Sequence, residues 1–147
     1  MKYRNGSHTR YSIYYHIVFV PKYRREVLTG RVEERLKEVI SRIAFVHDWL
    51  IEAMEVMPDH VHLFLSAPPR YSPAQIVNIT KSYTHRQIYK EYKEVRQMLW
   101  GGSLWCDGYF VSTVNDKTTK EQVKRYIEDQ KKDLKQMKLW DITENGT

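Results

Sequence analysis

The chain has 147 residues, enough for a core of its own, and residues 1–147 are expected to form a single domain. Its formal charge of +6 and sequence pI of about 9.3 favour an acidic partner. One cysteine, Cys106, excludes an internal disulfide and suits a cytoplasmic protein, and no apolar run approaches the ~20 residues that a membrane span requires.

The basic excess is concentrated at the beginning of the chain. Up to Arg31 there are seven Lys and Arg residues against one acid, Glu26, a balance of +6 that leaves the remainder about neutral. The chain also has eleven Tyr and four Trp. Since bases stack on aromatic rings and phosphates pair with Lys and Arg, this composition favours nucleic acid over a merely solvated basic surface.

Hydrophobic periodicity predicts four strands and three helices. In chain order these are a strand at 11–20, a helix at about 31–47, strands at 50–57 and 60–66, a helix at about 72–92, a strand at 109–114 and a helix at 117–138. Ser72 and Pro73 supply the cap and first position of the middle helix. The order βαββαβ plus a terminal helix predicts a ferredoxin-like α+β fold, in which two helices cover one face of an antiparallel sheet.

Two histidines, His60 and His62, are separated by one residue within the third predicted strand. Because successive strand side chains point to opposite faces, both imidazoles should project from one face, with Val61 turned to the other. Two neighbouring imidazoles can hold a divalent metal. The alternative is a pair of half-buried strand histidines that have only structural hydrogen bonds.

The turn between the second and third strands fixes a third candidate residue. If Pro58 and Asp59 are the two loop residues, Met57 pairs with His60 and Glu55 pairs with His62. Directly opposed residues share a face, with Cβ atoms ~5 Å apart. Glu55 is therefore a possible hydrogen-bond partner or alternative metal ligand, or else half of an exposed cross-strand pair.

The predicted last helix carries Tyr126 and Gln130, four residues apart and hence on one helix face. A phenol is a potential nucleophile and an amide a potential ligand, but both residues also suit a core or boundary position. Spacing alone does not select this pair, because Tyr83 and Gln87 on the middle helix have the same separation. Only the last helix, however, can reach the sheet face that the other helices leave open.

Several motifs in this order resemble the HUH single-tyrosine transposases of the insertion-sequence 200/605 family. The resemblance covers nearly the whole chain and rests on the run from Met57 to Leu63, Trp105, the run from Gly108 to Val114, Tyr126 and Gln130. It implies that His60 and His62 are metal ligands, that Gln130 is a third ligand and that Tyr126 is the nucleophile. The competing pair on the middle helix does not match.

The resemblance also implies a substrate and a mechanism. The substrate would be single-stranded DNA at the hairpin ends of a mobile element, cleaved by Tyr126 to a 5′-phosphotyrosine and a 3′-hydroxyl before strand transfer. The divalent metal would be Mg²⁺ or Mn²⁺. The enzyme would be a homodimer in which Tyr126 of one subunit serves the histidines of the other.

Residues that contact DNA are expected among the basic and aromatic side chains, although a solvated surface explains each of them equally well. The candidates are Arg4, Arg10, Arg70, Tyr71, Lys81 and Arg86. Two other functions fit the same motifs. One is a domesticated HUH nickase that cuts chromosomal repeats. The other is a non-catalytic single-stranded nucleic-acid-binding module that uses its open sheet face.

Overall fold

The computed structural model describes residues 2–113 and residue 125 of the chain. The predicted last helix lies outside the described residues except for residue 125, and Tyr126 and Gln130 lie outside them entirely. The described elements are β1 (Arg4–Asn5), β2 (Arg10–Tyr11), β3 (Tyr14–Phe19), a 3₁₀ turn (Lys22–Arg24), α1 (Gly30–His47), β4 (Leu50–Met57), β5 (His60–Ser66), α2 (Pro73–Glu91), α3 (Lys93–Met98) and β6 (Phe110–Thr113).

Four of the strands form one antiparallel sheet in the order β4-β5-β3-β6. Chain neighbours β4 and β5 are joined by a hairpin, whereas β3 is paired between β5 and β6, which come later in the sequence. This order, with a helix after β3 and another after β5, is the predicted ferredoxin-like arrangement, and it is confirmed for the described part of the chain.

The helices cover one face of this sheet and build the core there. Val32, Leu36, Val39, Ile40 and Ile43 recur at helical spacing in α1 and are all buried. They pack in one cluster with alternate strand residues and with α2; these partners include Ile17, Phe19, Val61, Leu63, Leu65, Ile76 and Ile88. Burying each large apolar side chain contributes about 1.5–3 kcal/mol, so this face fixes the sheet and its register.

The middle helix begins as predicted. Ser72 is its N-cap and Pro73 its first residue. The Ser72 hydroxyl accepts from the Gln75 amide N–H at 3.1 Å, and the Gln75 side chain accepts from the Ser72 N–H at 2.8 Å. These two bonds satisfy backbone donors that the first helical turn leaves open.

The described elements differ from the prediction in three places. The predicted strand at 11–20 is shorter, because Tyr11 pairs instead with Arg4 in the small hairpin β1–β2. A short helix, α3, follows α2 after an interruption at Tyr92, whose φ of −129° is not helical. The predicted strand 109–114 is observed as Phe110–Thr113, and residue 114 lies outside the described residues.

Among the described residues, no helix combines the length and apolar character needed to cross a membrane.

Candidate metal centre

The β4–β5 hairpin has the predicted register. Met57 lies opposite His60 and Glu55 lies opposite His62 across the two-residue turn. A register shift does occur in this pair of strands, but it falls between Ile51 and Ala53, beyond the site. His60, His62 and Glu55 therefore share the sheet face opposite the helices, which we call the histidine face.

The turn residue Asp59 fixes the orientation of the first histidine. His60 Nδ1 lies 2.9 Å from Asp59 Oδ1, and Arg24 Nε donates to Asp59 Oδ2 at 2.9 Å. An ionised carboxylate can only accept, so the proton of this contact is on Nδ1 of His60. The lone pair of Nε2 is then available to a metal, in the arrangement by which a carboxylate commonly orients a metal-binding histidine.

Asp59 stays ionised within this contact. Burial acts to raise the pKa of its carboxyl, but the hydrogen bond from His60 and the charges of Arg24 and His60 outweigh it, and the net shift is downward. The side chains of Arg24 and Asp59 are only 18 and 16 % exposed. The pair is thus largely shielded from water, which strengthens the interaction compared with an exposed ion pair.

The second histidine has a partner on the neighbouring strand. His62 Nε2 lies 3.1 Å from Nδ1 of His16, a residue of β3. The His16 ring is stacked on Phe64, with centroids 4.7 Å apart and an interplanar angle of 11°. One of the two facing nitrogens must donate and the other accept, so this contact holds a single proton between two rings.

Both rings of this pair favour the neutral form. Burial lowers the pKa of His16. Burial is also the main cause that lowers the pKa of His62; His16 lowers it further, Glu55 acts in the opposite direction, and His60 makes a smaller lowering contribution. A metal binds deprotonated imidazole nitrogen, so the lowered pKa of His62 favours the charge state that a cation requires, whereas the contact with His16 competes for its Nε2.

The donor set on the described residues fits part of a metal site. Two imidazoles from one strand and the Glu55 carboxylate opposite His62 are donor types that a divalent cation accepts. Within residues 2–113 and residue 125, no group of three or more His, Cys, Asp or Glu side chains is arranged to hold a metal ion. The predicted third ligand, Gln130, lies outside the described residues.

The competing pair, Tyr83 and Gln87, lies away from the histidine face. Both residues line a cavity of about 300 Å³ between α1 and α2, together with Arg35, Val39, Arg42, Ile43, Val46 and His47. Gln87 donates to Glu91 at 2.8 Å, and Arg86 lies over the Tyr83 ring. The two helices cover the opposite face of the sheet, so Tyr83 is not placed to act beside the histidines.

The six predicted DNA contacts are engaged in hydrogen bonds and ring contacts within the protein. Arg4 bonds to Ser66 and Asp48, connecting the end of β5 to the end of α1. Lys81 donates to the backbone oxygens of Cys106 and Gly108 at 2.8 and 2.7 Å. The other four residues take part in three contacts between an arginine and a tyrosine ring: Arg10 lies over Tyr3, Arg70 lies over Tyr71, and Arg86 lies over Tyr83.

Sequence reasoning missed His16 and Arg24 as members of this site. His16 lies in a strand that was predicted, but its pairing with β5 depends on a contact between residues 46 positions apart. Arg24 was counted only as part of the basic excess, and its bond to Asp59 spans 35 positions. Neither contact leaves a signal in local spacing.

Comparisons with known proteins agree with this geometry. Residues 9–130 match the family model described as "Transposase IS200 like", so the class of protein that the fold and this match define is a transposase. The chain therefore belongs to the IS200-like transposase family, whose members are DNA-cleaving and strand-transferring enzymes.

Two relatives and two solved structures illustrate the similarity. The chain is 39% identical over 120 residues to the ISDra2 transposase TnpA of Deinococcus radiodurans, covering 82% of this chain and 85% of that protein. It is 30% identical over 127 residues to the transposase for insertion sequence element IS200 of Salmonella typhimurium, covering 85% of this chain and 84% of that protein.

Among solved structures, a crystal structure assigned to a transposase of Deinococcus radiodurans R1 superposes with a TM-score of 0.79 at 35% identity, covering 86% of this chain and 97% of that one. A REP-associated tyrosine transposase bound to a REP hairpin superposes with a TM-score of 0.50, covering 84% of this chain and 68% of that one. Because only 13% of the residues are identical, this superposition shows a shared fold and nothing more.

Proposed function

We propose that this transposase cuts single-stranded DNA at the ends of a mobile element, with Tyr126 as the nucleophile. The observation that carries the proposal is the pair His60 and His62 on the sheet face opposite α1 and α2, with Asp59 bonded to Nδ1 of His60 so that Nε2 is left as the metal-binding nitrogen. The membership of residues 9–130 in the IS200-like family supports it.

The reaction balances with the residues of this chain. The phenol oxygen of Tyr126 attacks the scissile phosphorus and its proton passes to solvent. The bond from phosphorus to the 3′-oxygen breaks, and that oxygen keeps the electron pair and takes a proton from solvent. The products are a 5′-phosphotyrosine and a 3′-hydroxyl. A later 3′-hydroxyl attacks the same phosphorus and releases the phenol, so the bond energy is conserved and strand transfer needs no ATP.

Tyr126 needs help to act as a nucleophile. A free phenol has a pKa near 10, so only about one in a thousand is ionised at neutral pH. We propose that His60, His62 and Gln130, with Glu55 as an alternative ligand, hold Mg²⁺ or Mn²⁺ beside it. When bound, the cation would polarise the scissile phosphate and neutralise charge that develops during attack.

We also propose the partners of this reaction. The substrate ends would be hairpins, as in the hairpin-bound structure of a protein with the same fold. The enzyme would work in the cytoplasm as a homodimer, with Tyr126 acting on the histidines of the second subunit. Arg10, Arg70 and Arg86 are exposed and would contact phosphates. Arg4, Tyr71 and Lys81 would contact the DNA as well, while they keep their contacts within the protein.

The test is formation of a covalent protein–DNA adduct. The protein is incubated with Mn²⁺ and single-stranded DNA from the sequence flanking its gene, and adducts are resolved under denaturing conditions. Wild type should form an adduct, Tyr126→Phe should form none, and Tyr83→Phe is the matched control that should retain it. An adduct that persists in Tyr126→Phe and disappears in Tyr83→Phe would refute the assignment.

A metal-binding measurement completes the test. His60→Ala and His62→Ala should each lose Mn²⁺ binding and adduct formation together. His85→Ala provides a control, since His85 accepts from the Leu104 backbone N–H on the helical side of the sheet. Unchanged Mn²⁺ affinity in both His60→Ala and His62→Ala would contradict the proposed ligand set.

A further inference from the structure

A cluster of aromatic and basic side chains lies beside the 3₁₀ turn, separate from the histidines. Its centre is Trp100, whose side chain is 70 % exposed. The Arg25 guanidinium carbon lies 4.6 Å from the centroid of the Trp100 ring. The Tyr23 ring lies against the same indole, with centroids 5.0 Å apart and planes inclined by 60°. We call these three residues the Trp100 platform.

The backbone holds this platform in an unusual conformation. Tyr23, Arg24 and Trp100 have φ values of 58°, 50° and 54°, in the left-handed region that side chains other than glycine rarely adopt. Large side chains are therefore kept at positions where the local backbone would favour glycine. Such unfavourable conformations are concentrated at binding and catalytic sites, where the side chain has a task.

The platform is connected to the histidine face through Arg24. This residue lies between Tyr23 and Arg25, and its Nε donates to Asp59, which in turn accepts from His60. Each of the two contacts measures 2.9 Å. The turn that carries Tyr23 and Arg24 therefore contacts both the platform and, through Asp59, one of the proposed metal ligands.

The chemistry of the platform matches an unpaired nucleobase. Every base offers a π-face that stacks on an indole, and a guanidinium beside the ring adds attraction to both the base and a phosphate. Within residues 2–113, Arg25 forms no ion pair with an acidic side chain, so its N–H groups are available to a phosphate. Lys22 lies in the same 3₁₀ turn and adds positive charge there.

We propose that the Trp100 platform stacks one unpaired base of the DNA strand near the scissile phosphate. The inference rests on the proposed single-stranded substrate and adds the residue that positions it. Trp100 holds the base, Arg25 meets the adjoining phosphate and Tyr23 supports the indole from the side. The strand would then pass from the platform towards the histidine face along the turn that holds Arg24.

Binding measurements on the full chain test this role. A fluorescein-labelled single strand from the DNA flanking the gene, and a labelled oligothymidylate, are titrated in EDTA so that no cleavage interferes. Trp100→Ala should bind both about 5- to 150-fold more weakly, the range expected for one stacked base. Trp100→Phe should recover most of the affinity. Phe45→Ala is the matched control, because Phe45 is 87 % exposed on α1, and its affinity should equal that of wild type.

A scan with abasic nucleotides identifies the stacked base directly. In wild type, one abasic position should weaken binding by a factor similar to that of Trp100→Ala. In Trp100→Ala the same abasic position should cause no further loss, because the stacking partner is already absent. An abasic penalty of equal size in both proteins would overturn the platform.

The outcomes also separate this inference from the proposed function. If Trp100→Ala binds DNA as tightly as wild type and both form the covalent adduct, the platform is wrong and the transposase mechanism stands. If wild type neither binds the strand nor forms the adduct, the mechanism fails and the platform with it. Unchanged DNA affinity with an altered oligomeric state in Trp100→Ala would assign the patch to a protein interface instead, which also overturns the inference.

Discussion

Replacing Arg24 by Met should both destabilise the protein and weaken its hold on a metal. Arg24 and Asp59 have side chains that are 18 and 16 % exposed, so their pair is closer to a buried than to a surface ion pair. Losing a hydrogen bond to a largely buried charged group costs about 1.5–3 kcal/mol. With ~2–4 °C per kcal/mol for a domain of this size, the melting temperature should fall by about 3–12 °C.

The effect on the metal follows from the connection to His60. Without Arg24, Asp59 is free to rotate and His60 loses the contact that fixes its Nδ1 proton. Loss of such outer partners typically weakens metal binding by about 10- to 100-fold. Mn²⁺ titration by calorimetry in the absence of DNA measures this change without depending on catalysis.

A matched control distinguishes this specific role from a general effect of losing an arginine. Arg35 also pairs with carboxylates, those of Glu38 and Glu91, but on the helices and with greater exposure. Arg35→Met should cost no more than about 1 kcal/mol and leave Mn²⁺ affinity unchanged. Two results would contradict this role: an equal loss of unfolding free energy in both variants, or a wild-type Mn²⁺ affinity in Arg24→Met. Either would show that the contacts from Arg24 through Asp59 to His60 do not support metal binding.

Three further outcomes are expected. His16→Phe removes the nitrogen that contacts Nε2 of His62, so Mn²⁺ should bind about 2- to 10-fold more tightly in calorimetry. Weaker binding would mean that His62 coordinates the metal through Nδ1. Ser72→Ala removes the cap of α2 and should cost about 1 kcal/mol in urea unfolding, with an unchanged m-value. Hydrogen bonds from Gln87 and Arg35 lower the pKa of Glu91 in the folded state, so its contribution is present above the ordinary value of 4.5 and is lost as the pH falls through the lower folded value. Glu91→Gln should therefore be less stable than wild type by under about 1 kcal/mol at neutral pH, and in acid unfolding the difference should shrink as the pH falls below 4.5 and disappear below the folded pKa.

The parts of the site that were predictable from sequence are those fixed by neighbouring residues. The two-residue turn at Pro58 and Asp59 sets the hairpin register, so the position of Glu55 opposite His62 follows from counting. The alternation of β5 likewise places both histidines on one face. The capping box of α2 follows from the short run after Ser72.

The parts that were not predictable depend on contacts between distant elements. Which residue of β3 faces His62 is decided by how the whole sheet packs on the helices, and no turn joins β3 to β5. The small hairpin β1–β2 has strands of two residues, too short for any periodic pattern. The functional pairing of Tyr126 with Gln130 stays a prediction, since both residues lie outside the described part of the chain.

The hairpin that carries the site has a consequence for the order of folding. Glu55, Asp59, His60 and His62 are brought together when a single local turn closes, an event that takes about 1–10 μs in an isolated hairpin. The contact between His16 and His62 joins residues 46 positions apart and requires closure of a much longer loop. We therefore expect the proposed metal ligands of β5 to be arranged early, while His16 reaches them only when the central strand of the sheet is inserted.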